Sequence, residues 1–307
     1  MPHLLKDHTT QALAFNTLHQ LHHEGTRQER HLASICLDLL KSEEREMRFL
    51  SSIANVYTSV VQGNPEDQKE NRKACARQVK NVFENVFYHI DGIENLPLDS
   101  GHIFIYNHLV NHTYYTLSNR FQLTLDSHFL SSLILNDHYE DPGIRVVRYG
   151  KSFEYGHQDY YDNLGYINVY SDDSDLKDSE SKAKAKEKFY QEANDYLNNR
   201  VNIIISPEGT SFASEESPGS FKMGPFNLAL NADEEPLIVP VIFYNFDKRI
   251  TESLFYCSVL KPFRISDKKG ENQSLKSFVK AYQRDFEKDV VSARFRAEQL
   301  LENHNNQ

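Results

Sequence analysis

The chain is poor in the residues that mark disulfide-rich domains, metal sites and membrane spans. Its 307 residues include no tryptophan and three cysteines, Cys36, Cys75 and Cys257. These cysteines are widely separated in the sequence, so they predict neither a disulfide framework nor a cysteine-based metal site. No stretch approaches the roughly 18 consecutive apolar residues that a membrane-spanning helix needs. We therefore expect no transmembrane helix and no disulfide.

Net positive charge is also missing, since the formal net charge is −10. This balance disfavours nucleic acid as a partner and strong adhesion to an anionic bilayer, because both present phosphates. At most a peripheral membrane contact is expected. Residues 1–8 lack the charged region followed by an apolar core that typifies a signal peptide. Together with the few cysteines, these features predict a cytoplasmic protein.

The apolar fraction of 39% and the charged fraction of 25% are typical of a globular protein. Residues 8–90 carry four apolar stripes at helical spacing, interrupted at Gly25 and at residues 63–65, which predict four amphipathic helices. Beyond residue 91, apolar runs alternate with amphipathic stretches, which is typical of a largely parallel sheet flanked by helices. The sequence therefore predicts two domains: a small N-terminal helical bundle at 1–90 and an α/β domain at 91–307.

One apolar run ends in an unusual polar turn. Ile203–Ile205 are typical of a short strand that is buried on both faces. Pro207 and Gly209 then predict a turn at the carboxyl end of this strand. In open α/β sheets ligands bind at that end, so we expect Glu208 and Thr210 at the mouth of a cleft. A strand followed by a polar turn without any function would show the same pattern.

Further blocks stand before and after this turn. An apolar strand at 102–106 ends in Asn107-His108, residues 221–224 read Phe-Lys-Met-Gly, and a Val-Pro-Val strand lies within 237–243. In this order the blocks resemble those of the glycerolipid acyltransferase superfamily, the glycerol-3-phosphate and lysophosphatidate acyltransferases. The resemblance covers residues 100–245. In layout the chain is most similar to the soluble type, which has a helical domain ahead of the catalytic one.

The resemblance implies transfer of an acyl group from a thioester, acyl-CoA or acyl carrier protein, to a hydroxyl of a small-molecule or lipid acceptor. No metal and no cofactor are implied. In the family a histidine base and an aspartate stand five residues apart. Here position 113 is threonine, and Asp126 is the next aspartate at a predicted helix start. We therefore predict His108 as the base and Asp126 as its orienting partner, with 109–125 as a looped-out insertion of modest entropic cost.

Other placements of the base stay open. Phe121 precedes Asp126 by the family's spacing, which puts phenylalanine where histidine belongs. In that alignment His108, His112 or His128 supplies the base, or the chain is inactive. The spacing also occurs literally at His157 and Asp162, but no apolar strand precedes it. We interpret that second match as a coincidence.

The resemblance also implies a substrate site. Its predicted residues are Asn107, Glu208, Gly209, Thr210, Lys222 and Lys151. Two family arginines are absent, since Ser211 follows Thr210 and the second block ends at Tyr170 without one. Because arginine is the usual bidentate clamp for phosphate, this favours a neutral or unusual acceptor, with Lys222, Arg148 and Lys151 as replacement charges. Two alternatives stay open: a catalytically silent member that binds acyl chains or a carrier protein, and a thioesterase.

Overall fold

A single sheet contains all the strands found in the described part of the chain. The computed structural model describes residues 11–149, 157–170 and 179–305. The strands are β1 (Tyr88–Asp91), β2 (Ile103–Tyr106), β3 (Ile144–Arg148), β4 (Ile167–Val169), β5 (Ile203–Ile205), β6 (Ile238–Tyr244) and β7 (Phe255–Val259). Their order is β1-β7-β6-β2-β5-β3-β4. Neighbouring strands are parallel except β6 and β7, so the predicted largely parallel sheet is confirmed.

Helices precede the sheet and connect its strands. They are α1 (Gln11–Glu24), α2 (Arg27–Val61), α3 (Gln68–Phe83), α4 (Leu125–Phe129), α5 (Asn136–Tyr139), α6 (His157–Asn163), α7 (Ser179–Asn198), α8 (Gly224–Leu230), α9 (Ile265–Lys268) and α10 (Leu275–Asn305). A π-helical segment, Leu130–Leu135, joins α4 to α5. No helix in the described ranges has a stretch long and apolar enough to cross a membrane.

The N-terminal region contains fewer helices than we predicted. The second and third apolar stripes lie on the single 35-residue helix α2, so the prediction of four helices was wrong. No glycine or proline interrupts residues 27–61, and nothing local therefore ends this helix. The chain separates into two units, Met1–Ser51 and Ser52–Gln307. The domain boundary at residue 90 stays a prediction.

One strand was missed in the sequence. β1 follows α3 after a four-residue connection and pairs with β7. The helical spacing predicts helix up to residue 90, which is wrong from Tyr88 onward. The strand has four residues and lies at the edge of the sheet, where it needs no long apolar run.

Apolar side chains cover both faces of the central strands. Residues of β2, β5 and β6 are buried on either side of the sheet, which explains their unbroken apolar runs. On one face Ile103 and Ile203 share a cluster with side chains of α7, α8 and α10. On the other face Phe243 contacts Phe129 of α4, which in turn contacts Phe83 of α3. This burial holds the carboxyl ends of β2 and β5 at one edge of the sheet.

Candidate active site

The predicted histidine and the predicted turn lie side by side at this edge. β2 and β5 are parallel neighbours, with Ile105 opposite Ile205. Each strand is followed within three residues by a candidate side chain, His108 after β2 and Glu208 after β5. The backbone N–H of His108 donates a hydrogen bond to Oε2 of Glu208 at 2.5 Å. The two blocks, 100 residues apart in sequence, thus form one corner.

The insertion 109–125 returns the chain to this corner at the start of α4. Asp126 lies in the first turn of that helix and is buried. Its Oδ2 lies 2.7 Å from Nδ1 of His108, whose side chain is 20% exposed. An ionised carboxylate only accepts hydrogen bonds, so Nδ1–H of His108 is the donor. The predicted adjacency of the two side chains is present, and their catalytic roles stay predictions.

Backbone groups complete the surroundings of the Asp126 carboxylate. Leu109 N–H donates to Oδ2 at 2.8 Å, and Ser127 N–H donates to Oδ1 at 2.5 Å. Burial alone raises the pKa of Asp126. The charge and hydrogen bond of His108, together with these two N–H donors, outweigh burial and lower the pKa below its usual value. Asp126 is therefore a carboxylate at neutral pH.

The pKa of His108 and the surroundings of its second nitrogen, Nε2, decide whether the ring can accept a proton. Burial lowers the pKa of His108, but the charge and hydrogen bond of Asp126 and the charge of Glu208 outweigh it, so the net pKa is raised. Arg145 opposes this rise weakly. Within the described residues Nε2 makes no hydrogen bond. A histidine with one nitrogen held by a carboxylate and the other open is arranged as a general base.

The insertion is tied down along its length. The side chain of Asn111 closes it, since Nδ2 donates to Leu123 O and Oδ1 accepts from Leu125 N–H at 3.2 Å. Farther along, the hydroxyl of buried Tyr115 accepts a hydrogen bond from Ile250 N–H at 2.8 Å. These contacts hold the insertion in place. They therefore fix the start of α4 and, with it, the position of Asp126. The sequence suggests Asn111 as a residue of the insertion that lines the pocket or forms its lid, and that role stays a prediction; its bonds to the backbone at the end of the insertion are seen only in the structure.

The alternative alignment through Phe121 receives no support from geometry. Phe121 is buried, and its ring packs against the rings of Tyr57 and Tyr160. The partner of Asp126 is His108. His157 of the literal motif lies on α6, where its ring contacts Phe121.

Both carboxylate oxygens of Glu208 accept backbone hydrogen bonds. Oε2 accepts from His108 N–H, and Oε1 accepts from Gly219 N–H at 2.6 Å. Glu208 is 3% exposed. Burial raises the pKa of its carboxyl group to about 7, although these two hydrogen bonds and the charge of His108 oppose the rise. Glu208 thus joins the ends of β2 and β5 to the following loop, and acceptor binding by this residue stays a prediction.

Three predicted substrate-binding residues lie together on the outer side of the corner. Gly209, Thr210 and Lys222 are exposed. Gly209 has φ +69°, and a Cβ atom there would lie 2.9 Å from Cε of Lys222. The left-handed backbone and this close approach both favour glycine. Lys222 is anchored by its own N–H, which donates to Pro207 O at 2.7 Å.

Asn107 is fully buried and bonded to the protein. Its Oδ1 accepts from Phe243 N–H at 2.7 Å, while Nδ2 donates to Phe243 O at 2.9 Å and to Ser217 Oγ at 2.8 Å. These bonds link β2 to β6 and use both N–H groups of the amide. A contact of Asn107 with substrate stays a prediction. The remaining predicted residue, Lys151, lies outside the described residues.

A second histidine lies in a buried polar cluster that sequence reasoning missed. Nδ1 of His128 lies 2.7 Å from Thr124 O, and Nε2 lies 2.7 Å from the hydroxyl of Tyr160. The Arg145 guanidinium lies 2.8 Å from Nδ1. Burial, followed by the charge of Arg145, lowers the pKa of His128 well below its usual value. A charged residue inside the apolar run of β3 was the signal for this cluster.

No protein-family model matches the chain, and no curated protein matches it. A comparison with solved structures finds similarity to the 1-acyl-sn-glycerophosphate (LPA) acyltransferase PlsC from Thermotoga maritima. The TM-score is 0.47 and the identity 17%, over 80% of this chain and 95% of that chain.

Within the described residues, no cluster of three or more His, Cys, Asp or Glu side chains could hold a metal ion.

Proposed function

We propose that this protein transfers an acyl group from an acyl thioester to a hydroxyl acceptor. The observation that carries the proposal is the His108–Asp126 pair at the carboxyl edge of the sheet. Nδ1 of His108 is bonded to a buried carboxylate at 2.7 Å, and Nε2 makes no hydrogen bond within the described residues. The resemblance of the surrounding blocks to the glycerolipid acyltransferases supports the same reaction.

In this reaction Nε2 of His108 takes the proton of the acceptor hydroxyl, while the oxygen of that hydroxyl bonds to the thioester carbonyl carbon. Asp126 stabilises the imidazolium that forms and keeps the ring oriented. The tetrahedral intermediate then collapses with cleavage of the carbon–sulfur bond. The departing thiolate receives the proton from His108. The ester and the free thiol are the products, and His108 is neutral again.

The turn after β5 is our candidate for stabilising the oxyanion of the intermediate. The N–H groups of Gly209 and Thr210 make no hydrogen bond within the described part of the chain. Backbone N–H donors are suited to a developing oxyanion because they need no reorganisation. Glu208 would serve as a positioning residue, because its carboxylate holds the backbone of His108 in place. Lys222, beside Gly209, would bind a negatively charged part of a substrate.

The test uses the full chain with labelled acyl-CoA and, separately, labelled acyl carrier protein. Acceptors are glycerol 3-phosphate, a lysophosphatidate and an uncharged monoacylglycerol. Thiol release and the acylated product are both measured. Thiol release that requires an acceptor supports the proposal. Release without acceptor and without acylated product identifies a thioesterase, and no release with any pair overturns the enzymatic function.

A further inference from the structure

A cavity of about 570 Å³ adjoins the corner. It lies between the segment 220–223, which follows the β5 turn, and one face of α10. Phe221 and Val279 supply apolar parts of its lining. Of the residues that line this cavity, the proposed chemistry uses only Lys222.

Positive side chains dominate the polar lining. Lys222 comes from the segment, and Lys276, Lys280 and Arg284 come from α10 at intervals of four residues. That spacing places the three α10 cations on one face of the helix. At a rise of about 1.5 Å per residue they span roughly 12 Å along the groove. Such a local basic surface is unusual for a chain whose formal net charge is −10.

None of these four cations forms an ion pair with another described residue. Other cations of α10 do so: Lys288 pairs with Asp285 at 2.7 Å, and Arg294 pairs with Glu298 at 2.9 Å. The groove has one acidic residue, Glu287, whose carboxylate accepts a hydrogen bond from Gln283 at 2.8 Å. An anion is therefore expected toward the end marked by Lys276 and Lys280.

The groove is continuous with the corner through a chain of contacts. Glu208 accepts from Gly219 N–H at the start of the loop that leads to the groove. Phe221 N–H donates to Gln283 Oε1 on α10 at 3.0 Å. Lys222 packs against Gly209. A ligand that occupied the groove could thus extend to the turn after β5.

We propose that this groove binds the phosphate groups of the coenzyme A part of the donor. The inference rests on the proposed function and selects one of its two donors. A single phosphate needs one or two cations, whereas coenzyme A carries a pyrophosphate and a separate 3′-phosphate. Three cations along roughly 12 Å of α10, with Lys222 on the opposite side of the groove and none of the four paired with a described residue, suit several phosphates better than one. A cavity between a loop and a helix also suits a small ligand better than the broad face of a carrier protein.

The test compares two triple variants of the full chain. The groove variant carries Lys276→Gln, Lys280→Gln and Arg284→Gln. The control variant carries Lys182→Gln, Lys184→Gln and Lys188→Gln on α7, which removes the same charge from another exposed surface. Calorimetry measures the Kd of coenzyme A, dephospho-coenzyme A, glycerol 3-phosphate and a carrier protein, and circular dichroism checks folding.

We expect the groove variant to bind coenzyme A about tenfold or more weakly, since three charge contacts are lost. The control variant should match the wild type, and dephospho-coenzyme A should bind the wild type more weakly than coenzyme A. Equal affinity for coenzyme A in both variants, or no binding by the wild type, overturns the proposal. A loss restricted to glycerol 3-phosphate overturns it in favour of an acceptor site, and a loss restricted to the carrier protein in favour of a protein interface.

Failure of this proposal is distinguishable from failure of the proposed function. Groove-dependent binding of coenzyme A by a wild-type protein without acyl transfer leaves the groove proposal standing and overturns the function. Acyl transfer that is equal in all three proteins, with unchanged affinity for coenzyme A, leaves the function standing and overturns the groove.

Discussion

His108 and His128 lie 20 residues apart in sequence, and their surroundings differ in kind. His108 bonds a carboxylate through one nitrogen and leaves the other free within the described residues, and its pKa is raised. His128 has partners at both nitrogens and an arginine beside its ring, and its pKa is lowered. The groups that bond a histidine, and not its position in the sequence, thus decide whether its ring can accept a proton near neutral pH.

The largest effect is expected from His108→Ala. The change removes the proposed base, so kcat/KM should fall by about 10²–10⁴-fold without a loss of folding. Steady-state kinetics with the labelled thioester measure it. His112→Ala is the matched control, because His112 is a half-buried histidine of the same insertion that bonds Tyr114 N–H. Retained turnover in His108→Ala, or its loss only in His112→Ala, would remove His108 from the mechanism.

Asp126→Asn should lower kcat/KM by roughly 10²-fold or more, because the imidazolium loses its carboxylate. The same change removes the main cause that raises the pKa of His108. The residual activity should therefore extend to lower pH than that of the wild type, which a kcat/KM–pH profile measures. A variant with an unshifted acidic limb would show that Asp126 does not act through His108.

His128→Ala should act on stability and leave catalysis nearly unchanged. The change opens a cavity and takes a partner from buried Tyr160 and Arg145, at a cost of about 2–4 kcal/mol of unfolding free energy. Urea denaturation gives this value, and kinetics well below the midpoint give the activity of the folded fraction. His138→Ala, at an exposed histidine of α5, is the control. A stable but inactive His128→Ala would reverse the assignment of the two histidines.

Glu208→Gln should lower the free energy of unfolding by about 1–2 kcal/mol. The reason is that one amide oxygen cannot accept from both His108 N–H and Gly219 N–H. The cost depends on pH. The folded pKa of Glu208, about 7, exceeds the unfolded value, so the wild type loses part of its stability as pH rises from about 4.5 to 7. Denaturation at pH 5 and pH 8 measures the free energy of unfolding, which should decline less between these two pH values in the variant than in the wild type. An equal decline in both proteins contradicts the assignment.

The smallest effect concerns the wild type alone. The base must be neutral, and the raised pKa of His108 moves the acidic limb of kcat/KM above the ordinary histidine value of about 6.5. A pH profile at saturating second substrate locates this limb. A midpoint below 6.5 would mean that another group, or a differently placed His108, controls the rate.

Much of the sheet could be predicted, because buried parallel strands leave unbroken apolar runs. The runs at Ile103, Ile203 and Ile238 each became a central strand. Helix boundaries in the N-terminal region were less predictable, since an amphipathic stripe shows the buried face of a helix and not where it ends. The edge strand β1 has no such run and was missed.

For the candidate site, local sequence determined which residues stand at strand ends and helix starts: His108, Glu208 and Asp126. Only the tertiary structure decided that β2 lies beside β5, that the insertion returns Asp126 to His108, and that Asn107 and Glu208 bond backbone groups. Those bonds join residues that are 11 to 136 positions apart. Such partners follow from the order of strands and the packing of side chains, which leave no periodic pattern in the sequence.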